Sequence, residues 1–302
     1  APKFFYDALG STLFDAITEL DEYYPTRTER AILCAREREI ADAFGCDGCT
    51  LIDLGAGNGE KAAGLFAALR PRAYVAVDIS VDYLRHSLEA LQRRFPHIAM
   101  TGVGADLARP LALPAHVGRA RRLFFYPGSS IGNFTPDEAQ RLLAGLRAHL
   151  DDSGALLIGI DLVKDAATLE AAYDDPLGVT AAFNLNVLRR ANRIAGTDFV
   201  LADWRHVAFF DATHSRIEMH LEACRALRVS WPGGERRFAA GERIHTENSY
   251  KYRLADFVAL LGRAGFALQA SWTDERDWFA VLMARPAGWR EVSSARAPGD
   301  AD

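Results

Sequence analysis

The sequence predicts an α/β protein: a doubly wound, mostly parallel sheet with a second, smaller α+β lobe. Three observations carry this. Short apolar runs alternate with helical stripes through the first half of the chain. The first run ends in a glycine cluster that opens a helix. After Asp161 the alternation stops and helices are followed by strands with one polar face. The chain has 302 residues, enough for one such domain plus a smaller lobe.

The elements follow in order. Residues 11–43 read as helical, and Thr26-Arg-Thr-Glu29 after Pro25 is a capping-box pattern that predicts a helix start at Thr26. Thr50–Leu54 is a short apolar strand, and Tyr74–Val77 is the next. Leu84, Leu88, Leu91 and Phe95 line one face of a helix entered at Ser80. A third strand ends before Gly104-Ala-Asp106, and Leu123–Tyr126 is a fourth. Thr135-Pro-Asp-Glu138 is a strong helix start, continued by Leu142, Leu146 and Leu150. Ala155–Asp161 is a buried strand. Residues 165–195 read as helical, and residues 207–231 alternate, with Ile217, Met219 and Leu221 on one face and Glu218, His220 and Glu222 on a wet one. Trp231-Pro-Gly-Gly234 is a turn. A helix over 252–263, stopped by Gly265, and a hairpin over 267–283 return to the first pattern. The predicted division is therefore 28–163 with 252–302 for the larger domain, and 1–27 with 164–251 for the smaller. The polar tail 293–302 is expected to be disordered.

Composition excludes several roles. A formal charge of −5 argues against a broad nucleic-acid face. No apolar run reaches the ~20 residues of a membrane span, and the first residues carry no secretory apolar core. Cys46-Asp-Gly-Cys49 is a lone CxxC without the two further ligands that zinc needs, so no metal site is expected. With no disulfide framework, a reducing cytoplasm is expected.

Asp53-Leu-Gly55-Ala-Gly57-Asn-Gly59-Glu-Lys61 follows the first strand and opens a helix. Glycines there let a ligand approach backbone N–H groups closely. The spacing is not that of a Walker loop, and GxGxG is not the dinucleotide GxGxxG. DxGxGxG resembles the S-adenosylmethionine loop of class I methyltransferases. Asp78, at the end of Val75-Ala-Val-Asp78, suits two ribose hydroxyls, and Asp106 could face an adenine amine. One such acid alone would more often be a loop cap. Three at successive strand ends, Asp53 included, favour a cofactor site.

Stretches along nearly the whole chain resemble the histidine-specific Nα-methyltransferases of ergothioneine biosynthesis. They include Phe5-Tyr-Asp7, Glu22-Tyr-Tyr-Pro-Thr-Arg27, Tyr126-Pro-Gly-Ser-Ser-Ile-Gly-Asn-Phe134, Ala172-Tyr-Asp-Asp-Pro176, Arg216-Ile-Glu-Met-His-Leu221, Thr246-Glu-Asn-Ser-Tyr-Lys-Tyr252 and Trp272-Thr-Asp-Glu-Arg-Asp-Trp278. The resemblance implies a Rossmann-like methyltransferase domain with a substrate-binding lobe, S-adenosylmethionine as cofactor, and three methyl transfers to the α-nitrogen of L-histidine. It implies that Asn133 and Tyr173 hold the substrate carboxylate, and that the Gly128 carbonyl and Asn133 orient the amine. Tyr6 would lie near the transferring methyl. Tyr23, Glu247 and Ser249 would read the imidazole, and Phe14 and Met219 would pack around it. Gly55, Lys61, Asp78 and Asp106 would hold the cofactor. Taken singly, Phe14 and Met219 read better as core residues; only the resemblance lifts them. Tyrosine hydroxyls and a water path are the candidates for removing amine protons.

Three rivals remain at this level. A related enzyme could act on another amino acid such as tryptophan, although Glu247 suits imidazole better than indole. An NAD-dependent dehydrogenase is disfavoured by the glycine spacing. A non-catalytic cofactor-binding subunit is disfavoured because both half-sites look complete. A monomer is expected.

Overall fold

The structure, a computed structural model, describes residues 4–45 and 48–288. Cys46 and the tail 293–302 lie outside the described residues. Helices α1 (Ala8–Thr18), α2 (Tyr24–Ala35) and α3 (Glu37–Phe44) precede strand β1 (Thr50–Leu54). Short helices α4 (Glu60–Ala63) and α5 (Phe66–Leu69) lead to β2 (Ala73–Asp78), α6 (Val81–Arg94), β3 (Ala99–Gly104) and β4 (Arg122–Tyr126). Then come α7 (Pro136–Ala148), β5 (Ala155–Asp161), α8 (Ala166–Ala171) and α9 (Val179–Ala195). Strands β6 (Trp204–Asp211), β7 (Arg216–Ala223), β8 (Leu227–Trp231), β9 (Gly234–Phe238) and β10 (Arg243–Tyr250) follow. Helix α10 (Leu254–Arg263) and strands β11 (Phe266–Thr273) and β12 (Phe279–Pro286) complete the order.

The main sheet has seven strands in the order β11-β12-β5-β4-β1-β2-β3. The five strands from β3 to β5 pair in parallel; β12 runs antiparallel to both β5 and β11. Alternate residues of each strand face opposite layers, so both faces need cover. Ile52 and Val75 pack with Leu142, Leu146 and Phe257 of α7 and α10. Leu51 and Tyr74 pack with Ile40, Phe44 and Leu91 of α3 and α6. This is the predicted Rossmann-like architecture. The strand order reverses between β1 and β4, where ligands settle in doubly wound sheets.

The segment between β5 and α10 forms an antiparallel sheet, β10-β7-β6, and a β8-β9 hairpin. Ile217 and Met219 join Phe5, Tyr24 and Phe183 in one cluster; Leu221, Trp204 and Phe238 form another. Among the described residues, no helix is long and apolar enough to cross a membrane.

Four expectations need correction. The first helical region is three helices, because the chain turns over residues 19–23, where Arg27 Nη1 donates to the Leu20 carbonyl at 3.1 Å. Helix α2 starts at Tyr24, with Pro25 in its first turn, so Thr26 caps nothing and Glu29 is buried for other work. The helical stretch 165–195 breaks around Asp175, whose carboxylate accepts the N–H groups of Val179 and Thr180 at 2.9 and 2.7 Å and so starts α9. The polar face of β7 is not wet: Glu218 and Glu222 are 9% and 6% exposed, covered by Arg216 and by Arg205 with Arg243.

Candidate active site

An outer cavity of about 1680 Å³ opens at the C-terminal ends of β1, β2 and β4. The chain builds most of it from backbone and acids. Gly55 and Gly57 have φ of +70° and +53°, and a Cβ on either would meet nothing within 4 Å, so the loop leaves open space for a ligand. Asp78 Oδ2 accepts the Gly57 N–H at 3.0 Å and Oδ1 accepts the Ser80 N–H at 2.8 Å, each oxygen keeping a lone pair. Asp106 lines the same cavity.

Asp53, which the sequence marked only as the acid that opens the glycine motif, lines it too. Its Oδ2 accepts from Tyr74 Oη at 2.8 Å, while buried Oδ1 has no partner. Burial pushes its carboxyl up to about 7. A wall of acids with an unpaired carboxylate oxygen fits a cationic ligand with hydroxyl and amine donors. It repels a pyrophosphate. Of the two cations on this wall, Lys61 is engaged at 2.6 Å by Glu29, and Arg30 is the other. S-adenosylmethionine fits this set of acceptors better than NAD does.

Glu29 is a residue the sequence concealed. Fully buried, it also accepts the Gly128 N–H at 2.8 and 2.9 Å, and so ties α2, the glycine-loop helix and the loop after β4 together. Only its i+3 spacing from Thr26 stood out, and that suggested a cap.

A smaller inner cavity of about 520 Å³ adjoins the first. Both are lined by Tyr6, Phe14, Tyr23, Gly128, Ser130 and Asn133, so the two meet there. Only the inner one is lined by Tyr173, Met219, Glu247 and Ser249. Every site residue expected from the sequence thus lies on one wall or the other.

Distant segments place these side chains. Asp7 caps α1 through the Gly10 N–H at 2.9 Å and accepts from Asn186 at 2.9 Å, which sets Tyr6 against Phe14 and Phe183, each 5.7 Å away between ring centres. Asn133 ends a 3-10 turn, Ser130–Asn133. Gly132 lets that turn lie on β10, since a Cβ there would come within 2.7 Å of the Tyr250 carbonyl oxygen. A bulge in β10 between His245 and Glu247 sets the register that brings Glu247 and Ser249 to the cavity.

Burial holds Tyr6, Tyr23 and Tyr173 well above the usual phenol range, with neighbouring acids and phenols adding to it. Their hydroxyls are thus held in the protonated form. Burial also pushes Glu247 up to about 7. Its carboxylate therefore ionises near neutrality, where imidazole titrates as well.

Among the described residues one group could suit a metal: Glu218, His220 and His245, whose ligand atoms lie within 4.8 Å of one another. It sits on the far face of β7 and β10. The two imidazoles stack at 4.6 Å and 16°, so their in-plane lone pairs do not converge, and Glu218 already accepts from Arg216 and His220.

Residues 1–286 match a family model described as histidine-specific methyltransferase, SAM-dependent. The chain is 44% identical to the histidine N-alpha-methyltransferase of Mycolicibacterium smegmatis, over 94% of this chain and 89% of that one. It is 42% identical to the protein of the same name from Mycobacterium tuberculosis, with the same coverage. Ergothioneine biosynthesis protein 1 of Neurospora crassa is 32% identical over 93% of this chain, which spans 32% of that longer protein. Among solved structures, an S-adenosylmethionine-dependent methyltransferase from Clostridium acetobutylicum shares the fold, with a TM-score of 0.55 at 13% identity over 92% of this chain and 99% of that one. Family match, fold and paired cavities agree: the chain belongs to the histidine-specific, S-adenosylmethionine-dependent methyltransferase family.

Proposed function

We propose that this protein transfers three methyl groups from S-adenosylmethionine to the α-nitrogen of L-histidine, giving the betaine hercynine on the way to ergothioneine. The observation that carries it is the meeting of the two cavities at Tyr6, Gly128 and Asn133, with a carboxylate and a hydroxyl on the inner wall. In this reading residues 28–163 and 252–302 form the cofactor domain, and 1–27 with 164–251 the substrate domain. The enzyme works as a cytoplasmic monomer on a small molecule, without nucleic acid or membrane.

S-adenosylmethionine supplies an electrophilic methyl on a sulfonium. In-line displacement then depends mainly on positioning. Gly55, Asp78 and Asp106 hold the cofactor, with Asp53 facing its cationic end. Lys61 acts through its pair with Glu29, which steadies the Gly128 loop. The Gly128 carbonyl and Asn133 aim the amine lone pair, and Asn133 and Tyr173 hold the carboxylate. Glu247 accepts the imidazole N–H, and Ser249, whose own proton goes to Tyr173, offers its oxygen on the same wall. Tyr23 closes the ring's edge, while Phe14 and Met219 fill its faces. Tyr6 and Phe14 offer aromatic faces to the cation that forms. With the tyrosines protonated, the amine proton leaves by water.

Glu247 also separates this from a tryptophan enzyme, since an indole would leave a buried carboxylate partly unpaired. The test is mass spectrometry of L-histidine incubated with the protein and S-adenosylmethionine. A gain of three methyl groups on the α-nitrogen is expected; methyl on a ring nitrogen would refute the reading.

A further inference from the structure

Lys251, just after β10, is 3% exposed. Ser215 clamps its backbone, accepting the Lys251 N–H at 2.8 Å and donating to its carbonyl at 3.0 Å. An ammonium has three N–H bonds, and all three are used: Asp161 Oδ2 at 2.7 Å, Ser249 Oγ at 2.9 Å and Tyr173 Oη at 3.0 Å. Tyr173 Oη and Ser249 Oγ are themselves 2.7 Å apart. One of their two hydroxyl protons lies between them, so one is left for the cavity that both line. With Ser249 donating to Tyr173, the proton left for the cavity is that of Tyr173.

The charges around Lys251 do not balance. Asp161, 1% exposed, also holds Lys164 at 2.6 Å and accepts from Tyr24 Oη at 2.7 Å. Two buried ammonium groups therefore share one carboxylate. Asp274 acts on Lys164 from a half-buried position but is no partner of Lys251. Glu247, the other acid of the cavity, interacts with Lys251, but burial raises its carboxyl to about 7, so near neutrality it balances that charge only in part. A buried charge without a full partner is costly, and an arriving anion relieves that cost.

We propose that, with the inner cavity taken as the amino-acid site read above, Lys251 is a positioning residue that makes the enzyme require a free carboxylate on its substrate, acting through the Tyr173 hydroxyl. Free α-amino acids are accepted; the corresponding amines, esters and amides are not.

The test uses calorimetry on the full chain saturated with S-adenosylhomocysteine, comparing L-histidine with histamine, which lacks the carboxylate. Wild type should bind L-histidine at least ~100-fold more tightly, as charge-assisted bonds to a buried group allow. Lys251→Met should lower histidine affinity by roughly 100-fold, leave histamine within about threefold, and raise KM for histidine while changing kcat little. Adding Tyr173→Phe to Lys251→Met should change the ratio little further, because both act on one path. Equal losses for the two ligands would mark Lys251 as merely structural and overturn the proposal. Should Lys251→Met fail to bind S-adenosylhomocysteine, Lys251→Arg replaces it. Retention of the ligand ratio then supports the proposal, and loss of that ratio in a variant that still binds S-adenosylhomocysteine overturns it. A wild type that binds both ligands equally overturns the role of Lys251 alone; one that binds neither removes the amino-acid reading as well.

Discussion

The two cavities are built differently. The outer one is large, acid-lined and shaped mostly by backbone: glycines with open space beside them, and carboxylates fixed by amide N–H groups one strand end apart. The inner one has about a third of the volume and is shaped by side chains from α1, the loops before α2 and after β4, the α8–α9 break, β7 and β10. Backbone construction gives a site that accepts one invariant ligand. Side-chain construction gives a site whose preference changes with single residues. Substitutions should therefore separate the two: cofactor affinity moves in one set, substrate choice in the other.

The largest effect should come from Asp78→Ala. Two hydrogen bonds to a charged acceptor are worth about 1.5–3 kcal/mol each, so cofactor affinity should fall by roughly 100-fold or more. Calorimetry with S-adenosylmethionine measures it. Unchanged affinity would sink the ribose assignment and, with it, the contrast between the cavities.

Glu247→Leu with Met219→Val should act only on the inner cavity. Removing the acid and making space for indole should shift the histidine-to-tryptophan ratio of kcat/KM toward tryptophan by about 100-fold, at nearly constant cofactor affinity. If both residues were simply core, stability would drop and the ratio would stay put. The comparison needs a temperature at which both proteins are folded.

pH gives the next effect. Burial raises the Glu247 carboxyl, so its acceptor form is lost as pH falls through about 7 and gained as pH rises through it. The substrate amine is also mostly protonated near neutrality, which acts in the same direction. kcat/KM for histidine should climb by roughly tenfold per pH unit or more below 7. In Glu247→Gln the climb should be shallower, leaving only the amine's contribution. A profile identical to wild type would remove Glu247 from substrate recognition.

The smallest effect, and the one shared by both regions, should come from Glu29→Gln. It keeps an acceptor for the Gly128 N–H but loses the charge that holds Lys61. Breaking a pair with one fully buried member should cost about 3 kcal/mol of stability, with roughly tenfold losses in both cofactor and histidine affinity. Loss confined to one ligand would mean that Glu29 does not join the cavities.

The sequence alone determined the doubly wound sheet, because strand and helix periods and the glycine loop are local patterns that each element needs for its own burial. It singled out Asp78 and Asp106 for the outer cavity for the same reason: they stand at or just after the ends of strands whose order follows the chain. The inner cavity was legible only through a whole-chain resemblance. No local period sets Tyr6 beside Glu247, since that depends on Asp7 pinning α1 to α9 and on a bulge in β10. Tertiary structure alone decided the fates of Glu29, Asp53 and Lys251. In a linear sequence these are a helix acid, the start of a motif and a lysine in a polar strand. Folding buries them, and a buried charge must find partners wherever the chain brings them: Lys61 with the Gly128 N–H, Tyr74, and Asp161 with the Tyr173–Ser249 pair.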